Sequence, residues 1–145
     1  MAEFVYNPIQ VVLPNQNVLL NGSIPCNRGY VIHREGSGIL TLRGIVNNPC
    51  SNFARYQCTF NGNIAVPTGG TVGPISVALA IGGEPIQTSK AIVTPTVVNA
   101  YFNVTSTAII DVPKGCCYTL TCENVSGDDI SIDVQNANLV ISRIA

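Results

Sequence analysis

Gly73-Pro74-Ile75-Ser76-Val77-Ala78-Leu79-Ala80-Ile81, followed by Gly82-Gly83 and then Glu84-Pro85-Ile86, is the stretch on which the fold turns. Side chains alternate across an extended chain, so Val77, Leu79 and Ile81 fall on one side and Ala78 and Ala80 on the other. Residues as small as Ala78 and Ala80 would permit close approach of another layer or subunit. Gly82-Gly83 suits a two-residue hairpin, whose central residues both need positive φ. A strand, a tight turn and a returning strand are therefore expected here.

The same rhythm runs outward in both directions. Downstream lie Ala108-Ile109-Ile110-Asp111-Val112, Tyr118-Thr119-Leu120-Thr121, Ile130-Ser131-Ile132-Asp133-Val134 and Leu139-Val140-Ile141-Ser142-Arg143-Ile144. Upstream, Gly29 to Arg34, Ile39 to Ile45 and Tyr56 to Asn61 read as strands, with Tyr56, Cys58 and Phe60 inward. Turn clusters punctuate them at Glu35 to Gly38, Asn61-Gly62-Asn63, Thr68 to Thr71 and Gly127-Asp128-Asp129. Short strands spaced by about 8–12 residues indicate an all-β sandwich or barrel. The one helical candidate is Thr94-Pro95-Thr96-Val97-Val98-Asn99, where Thr94 could cap and Pro95 could sit at the first position. Its β-branched content favours a turn.

The 145 residues fit one domain. Charged residues make up only 10% of the chain, against about 25% in an average soluble domain. Asn, Thr, Ser and Gly fill the polar positions. So few charges favour an assembled state in which copies cover much of each other's surface. The net charge of -1 and the scattered Arg28, Arg34, Arg43, Arg55 and Arg143 give no nucleic-acid footprint. No window approaches 18 apolar residues, so no membrane span is expected. The start, Met1 to Pro8, does not read as a secretion signal. Assembly in the cytoplasm of the producing cell is the resulting expectation.

Residues that could carry chemistry are sparse. Nucleophilic catalysis needs a base beside the nucleophile, and His33 is the lone histidine. It reads as a surface or interface imidazole. Asp128, Asp129 and Asp133 read as a solvated hairpin tip more simply than as a Ca²⁺ site. The glycines match neither a P-loop nor a dinucleotide fingerprint. The expectation is thus no catalytic residue, cofactor or metal.

Six cysteines, Cys26, Cys50, Cys58, Cys116, Cys117 and Cys122, are expected to be mostly reduced and buried. Cys117 and Cys122 lie about 16 Å apart on an extended strand, too far to bridge. Cys50 and Cys58 could close a loop. The glycosylation patterns at Asn21, Asn103 and Asn124 are attributed to chance in an Asn- and Thr-rich chain.

One set of motifs carries a family resemblance. Gly73 to Leu79 with Gly82 to Ile86, Val98-Asn99-Ala100-Tyr101-Phe102-Asn103-Val104, Val112-Pro113-Lys114-Gly115-Cys116-Cys117 and Asn136 to Ile144 together resemble C1q/TNF-like jelly-roll heads. Such heads occur in Firmicutes exosporium collagen-like glycoproteins and related prophage-encoded proteins. The similarity covers residues 73–145; residues 1–72 match only in strand rhythm. The resemblance implies an all-β, two-sheet antiparallel jelly roll that forms a tight homotrimer, with its last strand on the inner sheet near the threefold axis. The division expected is an extended N-terminal arm and first strand over 1–25, a possible anchor, and a jelly-roll domain over 26–145.

No collagen-like Gly-X-Y stalk is present, and a free-standing head fits a virion component. The expected function is therefore a non-enzymatic phage structural protein, a trimeric capsid decoration or fibre head held to a capsid or other virion protein by its arm. Alternatives are a bacterial spore or cell-surface protein and a carbohydrate-binding module that recognises a host-surface glycan. The expected trimer interface comprises Ala78, Ala80, Tyr101, Phe102, Val140, Ser142 and Ile144. Of these, Val140, Ser142 and Ile144 share one face of the final strand by alternation.

Overall fold

Strict alternation of apolar and polar side chains builds the longest strands. The structure, a computed structural model, describes residues 2–24, 30–33, 37–44 and 52–144. Strand β6 (Phe53–Ala65) buries Ala54, Tyr56, Cys58, Phe60 and Ile64 and turns Arg55, Gln57, Thr59, Asn61 and Asn63 outward. Its neighbour β10 (Phe102–Pro113) does the same with Val104, Ser106, Ile110 and Val112. The two pair antiparallel over their full length, with Thr107 opposite Thr59.

The remaining strands are β1 (Ala2–Tyr6), β2 (Gln10–Val12), β3 (Gly22–Ile24), β4 (Val31–His33), β5 (Leu40–Arg43), β7 (Ile75–Ile81), β8 (Glu84–Pro85), β9 (Ala91–Val93), β11 (Cys117–Asn124) and β12 (Ile132–Arg143). They form two six-stranded antiparallel sheets. One runs β10-β6-β12-β1-β3, with β2 also on β12. The other runs β4-β5-β11-β7-β8, with β9 also on β7. Neighbours far apart in sequence make this a jelly roll, in which β1 lies beside β12 and joins the two ends of the chain. A single core between the sheets takes Phe4, Tyr56, Phe60 and Leu139 from the first and Leu40, Leu79 and Leu120 from the second.

Two glycines show what the turns and crossings require. Gly82 and Gly83 have φ of 60° and 84°, so the β7–β8 hairpin adopts the conformation expected of its Gly-Gly pair. Gly38 is held by a close approach, since a Cβ there would lie 2.0 Å from the Val18 carbonyl oxygen.

Several boundaries differ from the sequence reading. Asn61-Gly62-Asn63 is interior to β6 and makes no turn. Gly62 leaves room for the Phe60 ring, which would stand 3.1 Å from an added Cβ. The segments read as separate strands at Ile130 to Val134 and Leu139 to Ile144 merge into one strand, β12 (Ile132–Arg143), interrupted by a bulge between Gln135 and Asn138. Asn136, at φ 53°, absorbs the extra residue.

Thr94 to Asn99 forms no helical turn; a 3-10 turn lies instead at Gln87–Ser89. The Ser89 hydroxyl fixes that turn, donating to Ile86 O at 2.7 Å and accepting from the Leu79 N–H at 3.0 Å. Residues 2–24, read as an extended arm with a first strand, lie within the sandwich, where Phe4 is buried. The buried Asn124 amide ties this segment down by donating to Val12 O, Leu13 O and Ile130 O. With that burial, Asn124 offers no accessible acceptor for a glycan.

Candidate functional site

The outward face of the first sheet carries the most distinctive surface chemistry. Its rows follow from the registers. Glu3, Val140, Thr59 and Thr107 form one row across β1, β12, β6 and β10. Val5, Asn138, Asn61 and Thr105 form the next. Ser142, Gln57 and Ile109 lie on one side of these, and Gln135, Asn63 and Asn103 on the other.

Hydrogen bonds run sideways within the face. Thr59 and Thr107 hydroxyls meet at 3.1 Å, Thr105 Oγ1 donates to Asn61 Oδ1 at 3.1 Å, and Asn103 Nδ2 donates to Asn63 Oδ1 at 3.1 Å. Asn138 Nδ2 donates to Glu3 Oε2 at 3.2 Å. Such pairing holds the polar side chains of neighbouring strands to one another and stiffens the sheet.

Charge is confined to the margins of this face. At one end Arg55 grips Asp111 through two bonds of 2.7 and 3.0 Å. The hydrogen bond from Arg55 is the main cause that holds the Asp111 carboxyl below its ordinary range. At the other end Asp133 lies opposite Val11 on one side and Ala65 on the other. Only 8% of it is exposed, and its Oδ1 has no hydrogen-bond partner. Burial holds that carboxyl above its ordinary range. Tyr101 stands just beyond the β6–β10 ladder on the same side, and its phenol is raised first by burial and then by the Asp133 charge. Across β6, β10 and β12 between these ends no charged residue faces outward; Glu3 stands on the flanking β1.

The seven residues expected at an interface do not form one patch. Tyr101, Val140 and Ser142 share this face, by register and alternation. Ile144 follows β12 beside Arg55, whose carbonyl accepts its backbone N–H at 2.8 Å. Phe102 has the opposite parity but remains 42% exposed at the end of its strand. Ala78 and Ala80 lie on the other sheet and are 1% and 0% exposed within the subunit. They are small side chains beside Glu123 and Thr121 across the ladder, both themselves buried. Val5, Thr59, Thr107 and Ile109 complete the face and were not singled out from sequence. Their signal was the polar half of the alternation in β6 and β10.

The chemically reactive residues are dispersed. Cys58 and Cys122 are free and buried, whereas Cys116 and Cys117 are free and exposed where the turn after β10 enters β11. Burial of most cysteines was expected; this turn leaves two in solvent because it lies outside the core. Cys26 and Cys50 fall outside the described residues. Burial pushes the Cys58 thiol up to about 12 and raises that of Cys122 as well, with Glu123 adding to the latter. His33 stacks at 4.9 Å on Phe4 in a tilted contact, and its Nε2 lies 2.9 Å from Ser37 O. Among the described residues no three His, Cys, Asp or Glu side chains converge as metal ligands would.

No family model and no curated protein matches the chain. Among solved structures it is similar to the globular domain of a zebrafish complement 1qA protein, at 13% identity, with 96% of this chain and 94% of that one covered and a TM-score of 0.58. Two further likenesses, to the sugar-binding EclA C-terminal domain and to CBM35 of Cellvibrio japonicus Abf62, have 16% and 10% identity. They cover 81% and 95% of this chain and 86% and 99% of those, with TM-scores of 0.37 and 0.33, too low to inform the fold. The first likeness extends over nearly the whole of both chains, and the fold is C1q-like.

Proposed function

We propose that this C1q-like jelly roll is a non-enzymatic structural head that assembles as a homotrimer through the outward face of its first sheet, and that the trimer is a component of a bacteriophage particle. The observation that carries the assembly is the sheet face itself: across β6, β10 and β12 it holds no outward charge between the Arg55–Asp111 pair and Asp133, and Glu3 stands on the flanking β1. Interface cores are depleted of charge in just this way. Val140 sits at the middle of the face, with Ile109, 64% exposed, near its edge. The trimeric count and the particle role draw support from the resemblance of residues 73–145 to prophage-encoded and exosporium heads.

Attachment to a neighbouring virion protein is assigned to the N-terminal segment. There Ile9, Val11 and Leu13 project outward, 54%, 62% and 58% exposed, while Val12 between them is buried. The strip is continuous with the end of the face that holds Asp133.

Three experiments separate these assignments. Sedimentation equilibrium of the wild type should give three times the subunit mass, and Val140→Asp should give one. A wild type that stays monomeric at micromolar concentration overturns the assembly. For the particle role, antibody raised against the chain should label purified phage particles from the producing strain. Labelling of spores or cell envelope instead would move the protein there. Replacing Ile9, Val11 and Leu13 by Ser should abolish incorporation and leave the trimer intact.

A further inference from the structure

At the end of the sandwich where β6 gives way to its following loop and β12 begins, residues 66–73 and 129–131 line an open cleft of about 520 Å³. That size is in the range of small-molecule sites, about 300–1,000 Å³. Its wall is fixed by Asn99, whose φ of 58° lies in the left-handed region that few residues other than glycine adopt. From there the Asn99 N–H donates to Val66 O at 2.8 Å and its Nδ2 donates to Thr68 Oγ1 at 2.8 Å. A second tie, from the Gly70 N–H to Pro67 O at 2.9 Å, closes the loop on itself. A strained residue whose backbone and side chain both brace one wall marks a preorganised pocket.

The lining selects a ligand class. Among the described residues that line it, Asp129 is the sole charged one and there is no Lys or Arg, so anions are disfavoured. A single carboxylate is too few for a hard cation, which takes six or more oxygens. Hydroxyls come from Thr68, Thr71 and Ser131, and Val66, Val72 and Ile130 supply apolar surface. Thr68 Oγ1 already accepts from Asn99, so its proton remains to be donated. Asp129 can only accept. A donor and an acceptor in one cleft match a hydroxyl group, which both donates and accepts, and the aliphatic side chains match the C–H face of a sugar ring.

We infer that this cleft binds a neutral saccharide. The lining named here comes from a single subunit.

The test is saturation-transfer NMR on the full chain with glucose, galactose, mannose and N-acetylglucosamine, and with N-acetylneuraminic acid as an anionic comparison. At about 10 mM sugar a millimolar site is mostly filled. At least one neutral sugar should receive saturation, and the anionic one should not. Asp129→Asn should weaken binding about tenfold, the loss of one charge-assisted hydrogen bond. Thr68→Val, which removes the hydroxyl assigned as donor, should weaken it by a similar factor. The inference fails if no neutral sugar is saturated, if the affinity is unchanged in both variants, or if a short uncharged peptide is saturated while the sugars are not.

Discussion

Asp133 concentrates the tension between burial and charge in this subunit. Its carboxyl is nearly covered, lacks a partner at Oδ1, and is held above its ordinary value of 3.8 by that burial. The folded state therefore binds the proton more tightly than the unfolded chain. The associated stability is fully present below pH 3.8 and is lost as pH rises through the elevated folded value. Glu123 acts in the same direction from 4.5. Asp111 acts in the opposite one, but it is exposed and its effect is screened. Asp133→Asn should accordingly melt higher than the wild type at pH 7, with the gap closing below pH 3.8. Thermal melts from pH 3 to pH 8 check this; an equal gap at every pH would show that ionisation is not its cause.

The cysteines give a second test at this scale. A thiolate is the reactive form, and burial disfavours it at Cys58 and Cys122. Replacing Cys116 and Cys117 by Ser should remove two thiols that react with a disulfide reagent in the native protein. Cys58 and Cys122 should react only after denaturation. Unchanged native reactivity in the double variant would contradict the exposure of that turn.

Among the elements, β6 links the two sheets. Tyr56 points inward from it, and its hydroxyl reaches the carbonyls of Arg43 and Tyr30, with Arg43 on β5 of the opposite sheet. Tyr56→Phe keeps the ring and removes a part-buried hydroxyl, while Tyr30 O still accepts from the Arg43 N–H, so it should cost about 0.5–1.5 kcal/mol. Phe60→Ala, four residues on, opens a cavity in the core beside β12 and should cost about 3–5 kcal/mol. Urea denaturation measures both, and the ordering matters: a Tyr56→Phe loss larger than that of Phe60→Ala would mean the inter-sheet bond outweighs core packing.

The bulge in β12 has a consequence for the face. Before it, the odd-numbered Asp133 and Gln135 point outward; after it, the even-numbered Asn138, Val140 and Ser142 do. The extra residue thus keeps one continuous polar face along the whole strand.

At the scale of the molecule, assembly couples stability to concentration. A subunit whose folded form associates gains stability by mass action. The wild type should therefore melt at a higher temperature as its concentration is raised. Val140→Asp places a carboxylate on the face beside Glu3 of the flanking β1 and should remove that dependence while leaving a folded monomer. A melting temperature independent of concentration in the wild type would argue against the trimer.

The sequence by itself determined the class of fold. Alternation placed Tyr56, Cys58 and Phe60 inward and Val140 and Ser142 on one face of the final strand, and Gly82-Gly83 specified its hairpin. The resemblance over residues 73–145 indicated the jelly roll. These features were legible because the two-residue period and the φ of a tight turn are local properties of the chain. Tertiary structure alone decided which faces stay open. Ala78 and Ala80 are closed off by strands distant in sequence, and Val140 is brought beside Thr59 on β6. Asp133 joins the same face as Val140 only through the bulge at Asn136, and the cleft between residues 66–73 and 129–131 exists only because β6 and β12 pair. Alternation states which side chains share a side of their own strand; which strand lies next to it, and what covers that side, depends on long-range pairing that no local pattern encodes.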